Sequence, residues 1–173
     1  MNVERSRLTV HDATEADLSF LQRMLYEAVN RPDRVWPTFD SSMREPRNIR
    51  FWKGFPRAGD IGVVSQDDDT PIGAAWIRLF SGVELGPVAD TGVPVLAIGV
   101  DKHYRGRGVG QILMHELIGR ARIHGVQAIG LTTGSFNEAA VHLYHSCGFR
   151  ETSRSNDSIQ MRLTLSKSDM RTQ

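Results

Sequence analysis

The residues with the clearest capacity for chemistry lie at 101–110, DKHYRGRGVG. Gly106, Gly108 and Gly110 stand at alternate positions, so the backbone can approach a ligand without Cβ interference and turn successive amides toward it. An apolar strand pattern precedes this run and an amphipathic helix pattern follows it. The unpaired N–H groups and dipole at the helix start therefore add to an anion site. Arg105 and Arg107 add positive charge, and a phosphate or pyrophosphate is the natural guest. A Walker loop is excluded, because no GxxxxGK[ST] string occurs. A dinucleotide fingerprint also fails: Gln111 stands where GxGxxG needs its third glycine, and VQAIGLTTG brings no acid to hold a ribose.

Other reactive side chains carry less. His142 and His145 lie three apart on a helical pattern, but no Cys, Asp or Glu completes a metal motif, so they read as exposed helix residues and no metal is expected. Cys147 has no flanking nucleophile signature and reads as a small packed thiol. Trp36, Phe39, Phe51, Trp52 and Phe55 could line a substrate pocket or belong to the core, and the letters do not choose.

The elements that must position these groups follow from periodicity. Residues 7–11 alternate as a short strand. Thr14 with Asp17 caps a helix over 15–29, whose apolar stripe is Leu18, Leu21, Leu25 and Ala28. Residues 31–59, punctuated by Pro32, Pro37, Pro46 and Pro56, read as loop with one short helix near 47–53. IGVVS (61–65) and IGAAWIRLF (72–80) flank the acidic turn QDDDTP as a hairpin. A Gly-rich connection at 81–92 leads to VPVLAIGV (93–100), a run apolar enough to be buried on both faces. The helix after the glycines has the stripe Val109, Ile112, Leu113, Leu117 and Ala121, with Gln111, His115 and Arg122 facing away and Gly125 as its stop. VQAIGLTT (126–133) is a strand. Ser135 with Glu138 predicts a capping box for a helix over 136–147 ended by Gly148, and FRETSR and SIQMRLTL form two last strands. The order is that of an α/β (α+β) domain with a mixed sheet.

Composition bounds the function. The 173 residues suit one domain, and 21 basic against 20 acidic residues leave a net charge of +1, too balanced for a protein that binds nucleic acid mainly by charge. One cysteine excludes an internal disulfide and fits a reducing, cytoplasmic setting. No apolar run approaches the about 20 residues of a membrane span, and the N-terminal residues lack a signal-peptide core.

Beyond the glycine run, LAIGVDKHYRGRGVG and NEAAVHLYHSCGF together resemble the GNAT superfamily of N-acetyltransferases. Arg105-x-x-Gly108-x-Gly110 resembles that family's coenzyme A pyrophosphate loop, and Asn137 with Tyr144, Gly148 and Phe149 matches its later helix. The resemblance covers about 95–150 strongly; the N-terminal half agrees mainly in order of elements. It implies a mixed, mostly antiparallel central sheet flanked by helices and splayed into a V at its central strands. It also implies acetyl-CoA as donor, with Ile98, Gly99 and Val100 along the pantetheine arm and the stretch Arg105, Gly106, Arg107, Gly108, Val109 and Gly110 around the pyrophosphate. Asn137 would contact the cofactor arm, and Tyr144 would be the general acid for the leaving thiolate, a role suited to a phenol of pKa about 10.

One departure matters. Many relatives place a glutamate on the central strand as Pro-Glu-Leu-Ala-Ile, whereas here Pro94 is followed by Val95. Glu84 and Asp90 are candidate bases and a water chain is another, although each acid taken alone reads first as a solvated loop charge. The implied reaction is direct transfer to a primary amine in a ternary complex, a small molecule being favoured over a peptide or protein amine because no acidic run marks a polycationic substrate. A non-catalytic acyl-CoA sensor is the competing reading. Neither nucleic acid nor a membrane is expected as a partner, and a homodimer is left open.

Overall fold

The computed structural model describes residues 8–29, 38–84 and 92–165. Strand β1 (Leu8–Asp12) leads into the helix α1 (Leu18–Val29), preceded by a 3-10 turn at Glu15–Asp17. The cap expected from the sequence is present: the Thr14 N–H donates to Asp17 Oδ2 at 2.8 Å, fixing where the turn starts. Leu21, Met24 and Leu25 are its buried residues, so Met24 joins the stripe while Ala28 stays exposed. Two short helices follow, α2 (Phe39–Arg44) and α3 (Pro46–Trp52), where one had been expected. Thr38 caps α2 through Ser41 N–H, and Pro46 opens α3 at a position that needs no N–H. The expected loop at 31–37 and the connection at 85–91 lie outside the described residues, Asp90 included.

The remaining elements are β2 (Ile61–Asp67), β3 (Thr70–Arg78), β4 (Val95–Val100), α4 (Val109–Ile123), β5 (Ala128–Gly134), α5 (Glu138–Ser146), β6 (Arg150–Arg154) and β7 (Ser158–Thr164). They build a seven-stranded sheet in the order β1-β2-β3-β4-β5-β7-β6, antiparallel everywhere except between β4 and β5. Side chains alternate between its faces. Ile77, Ala75 and Leu96 point into a core with α4 and α5, while Trp76, Ala74 and Ala97 pack with α1, Met43 and Phe55.

Helix ends follow local chemistry. After α4, Gly125 N–H bonds Arg122 O and Val126 N–H bonds Ala121 O, a Schellman stop with Gly125 at φ +73°. After α5, Gly148 N–H bonds His145 O and Phe149 N–H bonds Tyr144 O, with Gly148 at φ +93°. The α5 start differs from the expected capping box. Asn137 is the cap, its Oδ1 accepting from Ala140 N–H at 3.2 Å, while Ser135 Oγ donates instead to Asn156 O at 2.6 Å. Asn is as good a cap as Ser, and Ser135 is held by the β6–β7 turn. On α4, Ile112 is exposed and Met114 and Ile118 complete the stripe, since Ile112 flanks the glycine loop rather than the sheet.

Candidate active site

The site begins where β4 and β5 part. Their parallel pairing is confined to Val95 and Gly130, with Gly130 N–H donating to Pro94 O at 2.9 Å. Beyond Val95 the strands diverge as a V, and Ile98 and Val100 are half-buried although they sit mid-sheet. β4 pairs along its whole length with β3, from Arg78 opposite Val95 to Gly73 opposite Val100, so only its β5 edge is open. Backbone groups on an open edge within a sheet need partners.

The glycine loop closes the wide end of the V. Gly106 and Gly108 have φ of +72° and +82°, and Gly108 is the left-handed cap residue of α4. A Cβ at either would meet nothing within 4 Å, so φ and not space requires glycine there. The first α4 bond of this turn runs from Ile112 N–H to Gly108 O at 3.1 Å, which leaves the N–H groups of Val109, Gly110 and Gln111 without intrahelical acceptors. A Cβ on Gly110 would stand 3.2 Å from Leu143 Cδ2 and 4.0 Å from Val100 Cγ2. Gly110 thus marks where the end of β4, the start of α4 and α5 converge. A groove of about 440 Å³ runs from Gly108 along Gln111, Ile112, His115 and Glu116.

The two arginines of the loop differ. Arg105 braces it: Nε donates to Val100 O at 3.1 Å and Nη2 to Glu27 Oε2 at 2.8 Å, tying α1, β4 and the loop together. Arg107 is exposed, its guanidinium 5.4 Å from the Tyr104 ring centroid. Asp101 turns the chain into the loop by accepting from His103 N–H at 2.9 Å, and that bond holds its carboxyl below the usual carboxylate range.

Tyr144 lies on the core side of α5, with its ring centroid 5.9 Å from that of Phe149. It packs in the cluster that includes Leu96, with Ile98 and Val100 against it. Burial, and secondarily Cys147, push its phenol well above the ordinary value, so it is a neutral O–H donor throughout the neutral range. Burial likewise raises the Cys147 thiol, against the direction that activates a nucleophilic cysteine. Asn137 spends Oδ1 on the helix cap, and among the described residues its Nδ2 has no partner. His142 and His145 are exposed, with His145 3.7 Å from Glu151.

Glu84 does not join this group. Its carboxylate accepts from Arg57 Nη1 at 3.0 and 3.3 Å, and its carbonyl accepts from Arg50 Nη1 at 2.6 Å. These contacts belong to a second polar cluster that the sequence reading missed. Its centre is Arg78, fully buried at the end of β3 opposite Val95. Arg78 Nε donates to Asp60 Oδ1 at 3.0 Å, and Nη1 donates to Arg50 O and Lys53 O, each at 3.0 Å. The signal was available: a lone arginine inside IGAAWIRLF demands a buried partner. Of the aromatic residues, Phe55 is core, while Phe51 and Trp52 are half-buried beside this cluster.

The family model for the acetyltransferase (GNAT) family matches residues 23–149, and the chain belongs to that family. N-acetylaspartate synthetase of Rattus norvegicus is 31% identical over 114 residues, covering 62% of this chain and 38% of that protein. Mycothiol acetyltransferase of Propionibacterium freudenreichii is 37% identical over 94 residues, covering 50% of this chain and 30% of its own length. The chain therefore spans well under half of the curated relatives it matches. Ribosomal-protein-alanine N-acetyltransferase from Brucella melitensis superposes with a TM-score of 0.68 at 24% identity, over 91% of this chain and 99% of that one. The yncA protein of Salmonella typhimurium, solved with acetyl-CoA, gives 0.62 at 24% identity over 92% and 95%. Among the described residues, no helix is long and apolar enough to cross a membrane.

Proposed function

We propose that this chain is a single N-acetyltransferase domain, acting in the cytoplasm, that moves an acetyl group from acetyl-CoA to a primary amine by direct attack in a ternary complex. The observation that carries this is the conjunction of the split β4–β5 pair with the unpaired first-turn amides of α4 behind Gly108. These groups fit acetyl-CoA: a linear arm needs an open strand edge, and a pyrophosphate needs convergent N–H donors. Val109 and Gly110, with Arg107 nearby, would hold the pyrophosphate; Ile98, Gly99 and Val100 would pair with the arm; Asn137 Nδ2 would reach it from α5. Arg105 fixes the loop through Glu27 and Val100, and its amide, with that of Gly106, would complete the cradle. When bound, acetyl-CoA supplies the acetyl group as a thioester.

The chain's own residues do the rest. A β4 amide facing the opening would stabilise developing negative charge on the carbonyl oxygen, an effect of about 2.7–4 kcal/mol per donor. Tyr144 Oη holds its proton until a thiolate needs it. The amine's proton leaves through water or is absent because the acceptor is already neutral, since Glu84 is committed to Arg57. Small acceptors are favoured, in keeping with relatives named for N-acetylaspartate and mycothiol. The sensor reading keeps one observation on its side, Val95 in the place of a carboxylate. Release of free coenzyme A thiol on adding amines separates the two: amine-dependent release supports transfer, and tight binding with no release supports the sensor.

A further inference from the structure

One large apolar side chain stands at the wide end of the V on the side away from α4. Along β5, Ile129 and Leu131 point into the core with α4 and α5, so Gly130, Thr132 and Gly134 face the opposite side, that of α1. Phe136 folds back onto this face. A Cβ on Gly134 would lie 2.0 Å from Phe136 Cε1 and 2.4 Å from its Cζ, so the ring rests on the backbone of β5. Gly134 has no positive φ, and the ring is the reason for glycine there. The Phe136 side chain is nevertheless left open, with 46% exposure. Its place is fixed by a turn in which Asn137 N–H bonds Gly134 O at 3.0 Å. Ser135, within that turn, is tied to the β6–β7 turn through Asp157 O and Asn156 O. An aromatic side chain held this firmly, with one face free of the strand, is preorganised for an apolar ligand.

The strand register puts this ring beside the opening. Counted from the Val95–Gly130 pair, Gly134 on β5 is level with Gly99 on β4, one residue beyond Ile98. Helix α1 covers β4 at that level, its Met24 backbone seated on Gly99, and Phe136 stands across the split on β5. Between them, Thr132 is exposed although β5 is an inner strand. Gly130 also lacks a steric reason: its φ is not positive, and a Cβ there would meet only Val93 Cγ1 at 3.4 Å and Pro94 O at 4.0 Å. Glycine inside a strand often marks a place where a ligand comes close. The first turn of α4 lies on the other face with Leu113 and Val109, so a second substrate reaches the V from the α1 side. We propose that the acceptor amine carries an apolar group, aromatic or branched alkyl, and that Phe136 holds this group against the α1-side face of β5. This rests on the acetyl-transfer reading for the amine, though not for the apolar site itself.

The test uses acceptors differing in the apolar group, namely phenethylamine against ethanolamine and leucinamide against glycinamide, compared at equal concentrations of neutral amine. The expected result is a preference for the apolar member of about tenfold or more in kcat/KM, lost in Phe136→Ser mainly through KM and kept in Phe136→Tyr. The melting shift given by acetyl-CoA should be the same in all three proteins, which shows that the variants are folded and loaded. Calorimetry of N-acetylphenethylamine against the coenzyme A-saturated protein gives a readout free of turnover, with binding expected in the wild type and lost in Phe136→Ser. Equal or better use of the polar amines, or a Phe136→Ser loss that falls equally on both members of a pair, overturns the proposal. A Phe136→Ser protein that folds but loses the acetyl-CoA shift also overturns it, because the ring would then hold the cofactor. If N-acetylphenethylamine binds through Phe136 while no amine is acetylated, the apolar site stands and the transfer reading fails. If it does not bind and no amine is acetylated, both fail.

Discussion

The carbonyl oxygen of Met24 occupies the space that a side chain at residue 99 would need: a Cβ on Gly99 would lie 2.2 Å from Met24 O. Helix α1 therefore rests its backbone directly on β4, and Arg105 locks the far end of the same helix to the loop through Glu27. Gly99→Ala drives a side-chain methyl into the Met24 backbone carbonyl, which no rotamer relieves. We expect a loss of roughly 1–3 kcal/mol or more, read as a lower thermal midpoint, with a weaker acetyl-CoA response because the strand edge moves with the helix.

Gly108→Asp tests the anion cradle. The position is open, so stability should fall only modestly, by about 1 kcal/mol for a left-handed non-glycine residue. The carboxylate would sit at the helix start, where the anion is expected. Melting scans should show a folded protein whose midpoint no longer rises with acetyl-CoA. A retained shift would place the cofactor elsewhere.

Tyr144→Phe should leave acetyl-CoA binding unchanged and lower kcat, because the ring still packs on Phe149 while the proton is gone. The raised phenol gives a sign for pH. The unfolded phenol ionises at about 10, the folded one higher, so the native state holds more protons above that point and stability falls as pH rises beyond it. Tyr144→Phe should flatten that alkaline loss in pH-dependent unfolding. In the rate profile, Tyr144 should produce no descending limb below about pH 10.

Much of this architecture was legible in the letters, and the failures share a cause. Thr14 with Asp17, Gly125 and Gly148 act within a few residues of themselves, so spacing alone located them. Ser135 and Asn137 are both good caps two positions apart, and the choice between them depends on Asn156, distant in sequence. The short helix α2 has too few turns to show a period. The Arg78 cluster joins β3, α3, Asp60 and the turn at Glu84, partners that only the fold brings together. Of the site, the loop and Tyr144 follow local motifs, while the braced role of Arg105 needed Glu27, 78 residues away.

The buried pair predicts its own consequence. Asp60→Ala leaves Arg78 charged and buried without its carboxylate, which typically costs 3–5 kcal/mol. Chemical denaturation should show the loss.

The proton route separates Glu84 and Asp90 from water. Glu84→Gln and Asp90→Asn should each lower kcat by less than about tenfold, and the rate should rise with pH along the acceptor's own titration. A general base would show a fall of roughly 10²–10⁴ with loss of its pH limb. Such a fall at Glu84 would mean that it leaves Arg57 in the loaded enzyme.

The central claim is that an amine takes the acetyl group within one complex holding both substrates. The most direct measurement is the initial rate of coenzyme A thiol release as acetyl-CoA and an amine are varied together, with the acetylated amine identified by mass. Intersecting double-reciprocal lines, with one acetylated amine for each thiol, are the predicted result. Parallel lines, or thiol release that ignores the amine, would contradict the account.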